Sequence, residues 1–227
     1  MLAMANRAYL SVWSKDFAEA TMLDQLVQLL GTVPFSAGRP AFTELVIRAV
    51  DPAQTALMEL DLQGLPVDVP ELVRLARDHL YDDSAYQVGT HWDLWVYDLS
   101  QGRWQLRPQR LEITCHGEAY ENGVCAERGH FLADIGLEHM FTGHAGLPNS
   151  RAASVSAPQH PAEEEFLAVM ARPEKLREYY QKTRENIQKL LDWIQALERS
   201  VPLKRSWLWS EGEENFEARL DEILAAR

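Results

Sequence analysis

Residues 176–201 read LREYYQKTRENIQKLLDWIQALERSV, and the spacing of their apolar side chains decides the architecture. Leu176, Tyr180, Thr183, Ile187, Leu190, Ile194, Leu197 and Val201 alternate steps of four and three, the signature of one helix face. As a heptad, Tyr180, Ile187, Ile194 and Val201 take the a positions, and Leu176, Thr183, Leu190 and Leu197 take the d positions. At about 1.5 Å per residue such a helix is roughly 40 Å long and must bury its stripe. The flanking positions, among them Arg177, Tyr179, Arg184, Asn186, Leu191 and Trp193, supply no complementary charges, and Leu191 and Trp193 widen the stripe beyond a narrow seam. A wide stripe favours packing within the chain, with a seam between two chains as the competing arrangement. The candidate docking residues are Tyr180, Ile187, Leu190, Ile194 and Leu197.

Working outward, Pro173 starts this helix and Pro202 stops it, a span of about 173–201. Upstream, Pro161-Ala162-Glu163-Glu164-Glu165 places acids in the first turn of a short helix, where they oppose the positive end of its dipole. Downstream, Trp207-Leu208-Trp209 forms an apolar knot, and Ser210-Glu211-Gly212-Glu213 opens a last helix with Phe216, Leu220, Ile223 and Leu224 facing inward. Residues 144–162 are small, polar and Pro-punctuated, the composition of a connector. The organisation expected is an α+β body over 1–143, a linker over 144–162 and a helical subdomain over 163–227.

The body reads as strands with two helices. Ala8, Leu10 and Val12 alternate with Tyr9, Ser11 and Trp13. A helix follows over Asp16 to Leu30, then strands at 42–50 and 56–62. Asp68-Val69-Pro70-Glu71 combines a capping acid, Pro in the first turn and Glu three residues on, and opens a helix to His79 or Leu80. Trp92 to Leu99 and Arg103 to Leu106 form a hairpin across Ser100-Gln101-Gly102. The strand resumes after Pro108 with Leu111, Ile113 and Cys115 on one side and pairs with Gly129 to Ile135. Short connections favour a mainly antiparallel sheet with helices on one face, followed by the helical C-terminal subdomain.

Among 227 residues, 34 acids against 22 Lys and Arg leave a formal charge of −12, which disfavours nucleic acid and anionic membranes as partners. Met1 to Asn6 carry no secretion-signal pattern and no run approaches a membrane span, so a cytoplasmic protein is expected. Cys115 and Cys125 imply no disulfide framework, although a bridge across a hairpin is geometrically open.

Chemistry-bearing residues accumulate between 112 and 144. His116, Glu118 and His130 could converge on a metal if the intervening loop folds back, which makes a metal-dependent hydrolase the enzymatic alternative. The spacing matches no standard finger or knuckle, and adjacent Cys115 and His116 point to opposite faces of a strand. Cys125 lies among Glu118, Glu121 and Glu127, which oppose a thiolate. No G-x-S-x-G elbow, phosphate loop, G-x-G-x-x-G or H-E-x-x-H occurs, and no cofactor is implied. Trp92, Trp95, Tyr97 and Trp104 concentrate on one hairpin, as a ligand or protein patch or as a Trp-rich core. The function expected is non-enzymatic: capture of a protein partner, or self-association into a homo-oligomer, through the helical C-terminal module, with a basic target favoured by charge.

Overall fold

The computed structural model describes residues 6–144, 146–147 and 160–225. Most of the predicted linker, 145 and 148–159, lies outside the described residues. The elements, in chain order, are β1 (Arg7–Ser14), α1 (Glu19–Leu30), β2 (Glu44–Ala49), β3 (Met58–Asp61), α2 (Val69–Ala76), β4 (Ser84–Asp98), β5 (Arg103–His116), α3 (Cys125–Arg128), β6 (Phe131–Leu137), α4 (His139–Thr142), α5 (Pro161–Met170), α6 (Pro173–Ser200), β7 (Leu203–Ser210) and α7 (Phe216–Ala225). The strands form one seven-stranded sheet in the order β3-β2-β4-β5-β6-β1-β7, with every pair antiparallel. The class is α+β, an antiparallel sheet with helices against one face and a helical C-terminal region.

One large core explains the layering. Leu10 and Val12 of β1, Leu45 and Ile47 of β2, Val88 of β4, Ile113 of β5 and Ile135 of β6 meet Leu26 and Leu30 of α1, Leu72 of α2 and Leu190 of α6. Alternate residues on each strand supply this face, as the period of two requires. The predicted start of α2 is realised: the Asp68 carboxylate accepts from the Glu71 N–H at 2.9 Å.

The structure corrects two local readings. Trp207-Leu208-Trp209 is part of β7 and adds an edge to the sheet beside β1. Its aromatics gave no inward alternation because they lie on the face away from the helices. There Trp209 stacks on Tyr9 at 4.3 Å and on Trp207 at 5.8 Å, while Leu208 alone of the three is buried. Strand β5 also runs unbroken through Pro108, paired with Asp93 of β4. Beyond residue 112 toward the hairpin tip, β5 pairs with no other strand on its far side among the described residues, so a missing N–H is tolerated.

Along α6 the buried positions are Tyr179, Thr183, Asn186, Ile187, Leu190, Trp193 and Leu197. The buried face is therefore centred between the predicted d positions and the neighbouring Tyr179, Asn186 and Trp193, rather than between d and a. Ile187, Leu190 and Leu197 of the predicted docking face belong to the core, and Ile194 and Tyr180 sit at its margins, partly buried. The correction has a simple cause: the helix lies on its own sheet, so three of the five residues proposed for docking are already covered.

Candidate functional site

The β4–β5 hairpin outruns the rest of the sheet. Neighbouring β2 pairs only with Ser84–Gly89 of β4, and β6 pairs only with Glu112–Cys115 of β5, so residues from about 92 to 109 project as a two-stranded tongue. Its turn is held by Asp98, which accepts from Ser100 Oγ at 2.6 Å and from the Gln101 N–H at 3.1 Å, and which pairs with Arg107.

Helix α6 covers the exposed border of this tongue through one amide. Asn186 Oδ1 accepts from the Trp95 N–H at 2.7 Å, and its Nδ2 donates to the carbonyls of Trp95 and Met140, both at 3.1 Å. The side chain thus takes the place of a neighbouring strand and ties in α4. A buried amide satisfied by three backbone groups also explains a polar residue in the middle of the covered face of α6.

Above this clasp the tongue, α5 and the first turns of α6 enclose a second, smaller apolar cluster around Leu147, Met170 and Tyr179. Four rings meet in a closed circuit: Tyr97–Trp104 at 5.4 Å, Trp104–Tyr179 at 5.4 Å, Tyr179–Phe166 at 5.9 Å and Phe166–Tyr97 at 6.2 Å. Their planes cross at 55° to 67°, the tilted and edge-to-face geometry that aromatic quadrupoles favour. Beside the circuit lies a cavity of about 560 Å³, bounded by these rings, by Trp95 and by a polar group comprising His139, His144, His160 and Glu163.

Each polar residue has a defined support. His144 Nδ1 accepts from the Gly146 N–H at 3.1 Å, leaving its Nε2 toward the Glu163 carboxylate at 3.5 Å, and the His144 N–H donates to the Tyr179 hydroxyl at 2.9 Å. His160 caps α5, its Nδ1 accepting from the Ala162 N–H at 3.1 Å. Protein packed around His139, more than the nearby His144, holds that imidazole below its ordinary value, so it is neutral at pH 7 while part of the ring stays exposed. Trp95 carries the Lys182 ammonium 3.7 Å from its ring centre, and that ammonium is paired with Glu185 at 2.8 Å.

The residues named from sequence for metal binding fare differently. His116 is buried, and because the Gly129 carbonyl can only accept, its Nδ1 donates there at 3.1 Å. His130 Nδ1 instead accepts from the Ser14 N–H at 3.1 Å, with its ring stacked on Phe17 at 4.0 Å. Glu118 points to solvent. The three do not converge, and among the described residues no three His, Cys, Asp or Glu side chains are placed to share a metal. Both cysteines are free thiols, and burial pushes each upward, away from thiolate.

The aromatic hairpin divides between its two sequence-based readings. Trp92 is core, whereas Trp95, Tyr97 and Trp104 line the cavity. Sequence reasoning counted His139 and His144 in the Cys/His/acid-rich 112–144 stretch but did not join them to the hairpin aromatics, and it missed Phe166, Tyr179 and His160 as partners, all of which are brought there only by long-range packing. Comparison with protein-family models, curated proteins and solved structures finds no match to this chain. No helix among the described residues is long and apolar enough to cross a membrane.

Proposed function

We propose that this chain is a non-enzymatic binding protein whose site is the cavity between the β4–β5 tongue, α5 and the N-terminal half of α6. The observation that carries this reading is the lining itself: aromatic walls on three elements, with a compact polar group at one side. A largely apolar concavity with a few oriented polar side chains is the usual form of a small-molecule site. The buried thiols, and imidazoles engaged in backbone hydrogen bonds, support binding over catalysis. The helix seam leads to an expected protein-docking or self-association role for the helical C-terminal module; in this reading the module instead walls a small-molecule cavity.

The test uses a neutral aromatic probe. Calorimetric titration with 2-phenylethanol is expected to give saturable binding that is lost in Ala162→Trp, which fills the cavity from an exposed position on its wall. Absence of binding to the wild-type protein, or undiminished binding to a folded Ala162→Trp variant, defeats the proposal.

A further inference from the structure

The cavity's electrostatics narrow the ligand class, and this step rests on the binding reading above. Among the described residues that line it there is no lysine and no arginine, while Glu163 contributes a carboxylate. Trp95, Tyr97, Trp104, Phe166 and Tyr179 contribute ring systems, whose faces carry the negative part of their quadrupole. Cations are stabilised over such faces, more so where water is excluded.

Trp95 shows this preference within the fold, since it carries the Lys182 ammonium 3.7 Å from its ring centre. That lysine and Lys175, two of the four cations in the N-terminal half of α6 beside Arg177 and Arg184, are each paired with an acid, Glu185 at 2.8 Å and Glu178 at 3.0 Å, and none of the four lines the cavity. Glu163 itself engages His144, and the inference needs only its charge, not an empty valence. At longer range the formal charge of −12 favours the approach of cations and disfavours anions.

We infer that the cavity takes a small aromatic or arylalkyl ammonium ion, its apolar body against the ring circuit and its charged nitrogen toward Glu163. The split of the lining matches the split of such a ligand. The Glu163 carboxylate accepts from an N–H₃⁺ group and the rings receive the hydrocarbon, while His144 and His160, whose Nδ1 atoms accept from backbone N–H groups, are not acceptors for it. A carboxylate ligand would instead face acidic and aromatic surface, with no guanidinium or ammonium among the described lining residues to meet it.

Three near-isosteric probes separate the possibilities: 2-phenylethylamine, 2-phenylethanol and 3-phenylpropionate, titrated calorimetrically into the full chain at about pH 7.5. The amine is expected to bind about tenfold tighter than the alcohol, the range that cation–π and carboxylate contacts supply, with the propionate weakest. In Glu163→Gln the amine should weaken at least threefold while the alcohol is unchanged. Equal affinity for all three probes, or tightest binding of the propionate, overturns the ammonium inference and leaves the cavity reading intact. Failure of all three to bind the wild-type protein overturns both. The ranking on unmodified protein decides the matter even if Glu163→Gln is poorly folded.

Discussion

The two halves of α6 carry one continuous sequence pattern and do different work. The C-terminal half, through Ile187, Leu190, Trp193 and Leu197, is sealed into the main core. The N-terminal half, through Leu176, Tyr179 and Tyr180, belongs to the small cluster beside the cavity. Heptad spacing specifies that a helix has a buried side. What covers that side is set by the rest of the fold: here a full sheet at one end, and a hairpin tongue with a short helix at the other. The difference teaches that one amphipathic helix can anchor a domain and wall a cavity at once.

The sharpest way to break this comparison is to remove a side chain from the sealed half. Leu190→Ala is expected to cost about 3 kcal/mol in urea unfolding, since a fully buried leucine leaves both lost transfer energy and a void. A loss well below about 1 kcal/mol would show that this half is not truly packed. At the junction between the halves, Asn186→Leu strands the Trp95 N–H and the carbonyls of Trp95 and Met140. About 2 kcal/mol is expected from unsatisfied buried backbone groups, accompanied by loss of probe binding. Retained binding would separate the clasp from the site.

Acid provides a third test, directed at the far end of the helix. Ser14 Oγ and the Lys15 N–H both donate to the Pro202 carbonyl, at 3.2 and 2.7 Å, where α6 passes into β7, and the Ser14 N–H donates to His130. Burial, with Lys204 and His116 adding to it, lowers His130 to about 4, and burial likewise lowers His116. The unfolded chain protonates both near pH 6.5, above the folded-state value of each. The His130 contribution to stability is therefore complete above about pH 6.5 and is lost as pH falls toward 4, and that of His116 changes in the same direction. The urea midpoint should drop across that window, and His130→Gln should flatten the slope. The smallest effect is expected on the solvent side, where Gln188 is exposed and donates to Asp192 at 2.8 Å; Gln188→Ala should change stability by less than about 0.5 kcal/mol.

Much of the framework was legible in the residues. The Asp68-Val69-Pro70-Glu71 start, the alternation in β1 and β4 and the Pro-bounded long helix carry local physics that tertiary packing did not override. Strand β7 was not legible, because its aromatics face away from the helices and its inward side is only Ser206 and Leu208, with Leu203 brought in across a register shift. The orientation of α6 was misjudged because Asn186 counts as polar in any periodicity, although here its amide is fully bonded inside the protein. For the site, the hairpin aromatics stood out, but nothing local connects them to Phe166, Tyr179 or His139. The metal reading failed on placement: His116 is buried against the Gly129 carbonyl, His130 turns to Ser14, Glu118 points to solvent, and the three do not converge.

The Asn186 amide has one more consequence. A bare strand border is a template on which another chain can add itself and continue growing, and proteins guard such borders with charge, bulges or cover. Along the outer stretch of β4 the guard includes a single carboxamide, so a chain lacking it would gain an adhesive border and become prone to fibrous assembly. The residue that ties the tongue to α6 thereby also protects the molecule from its own copies.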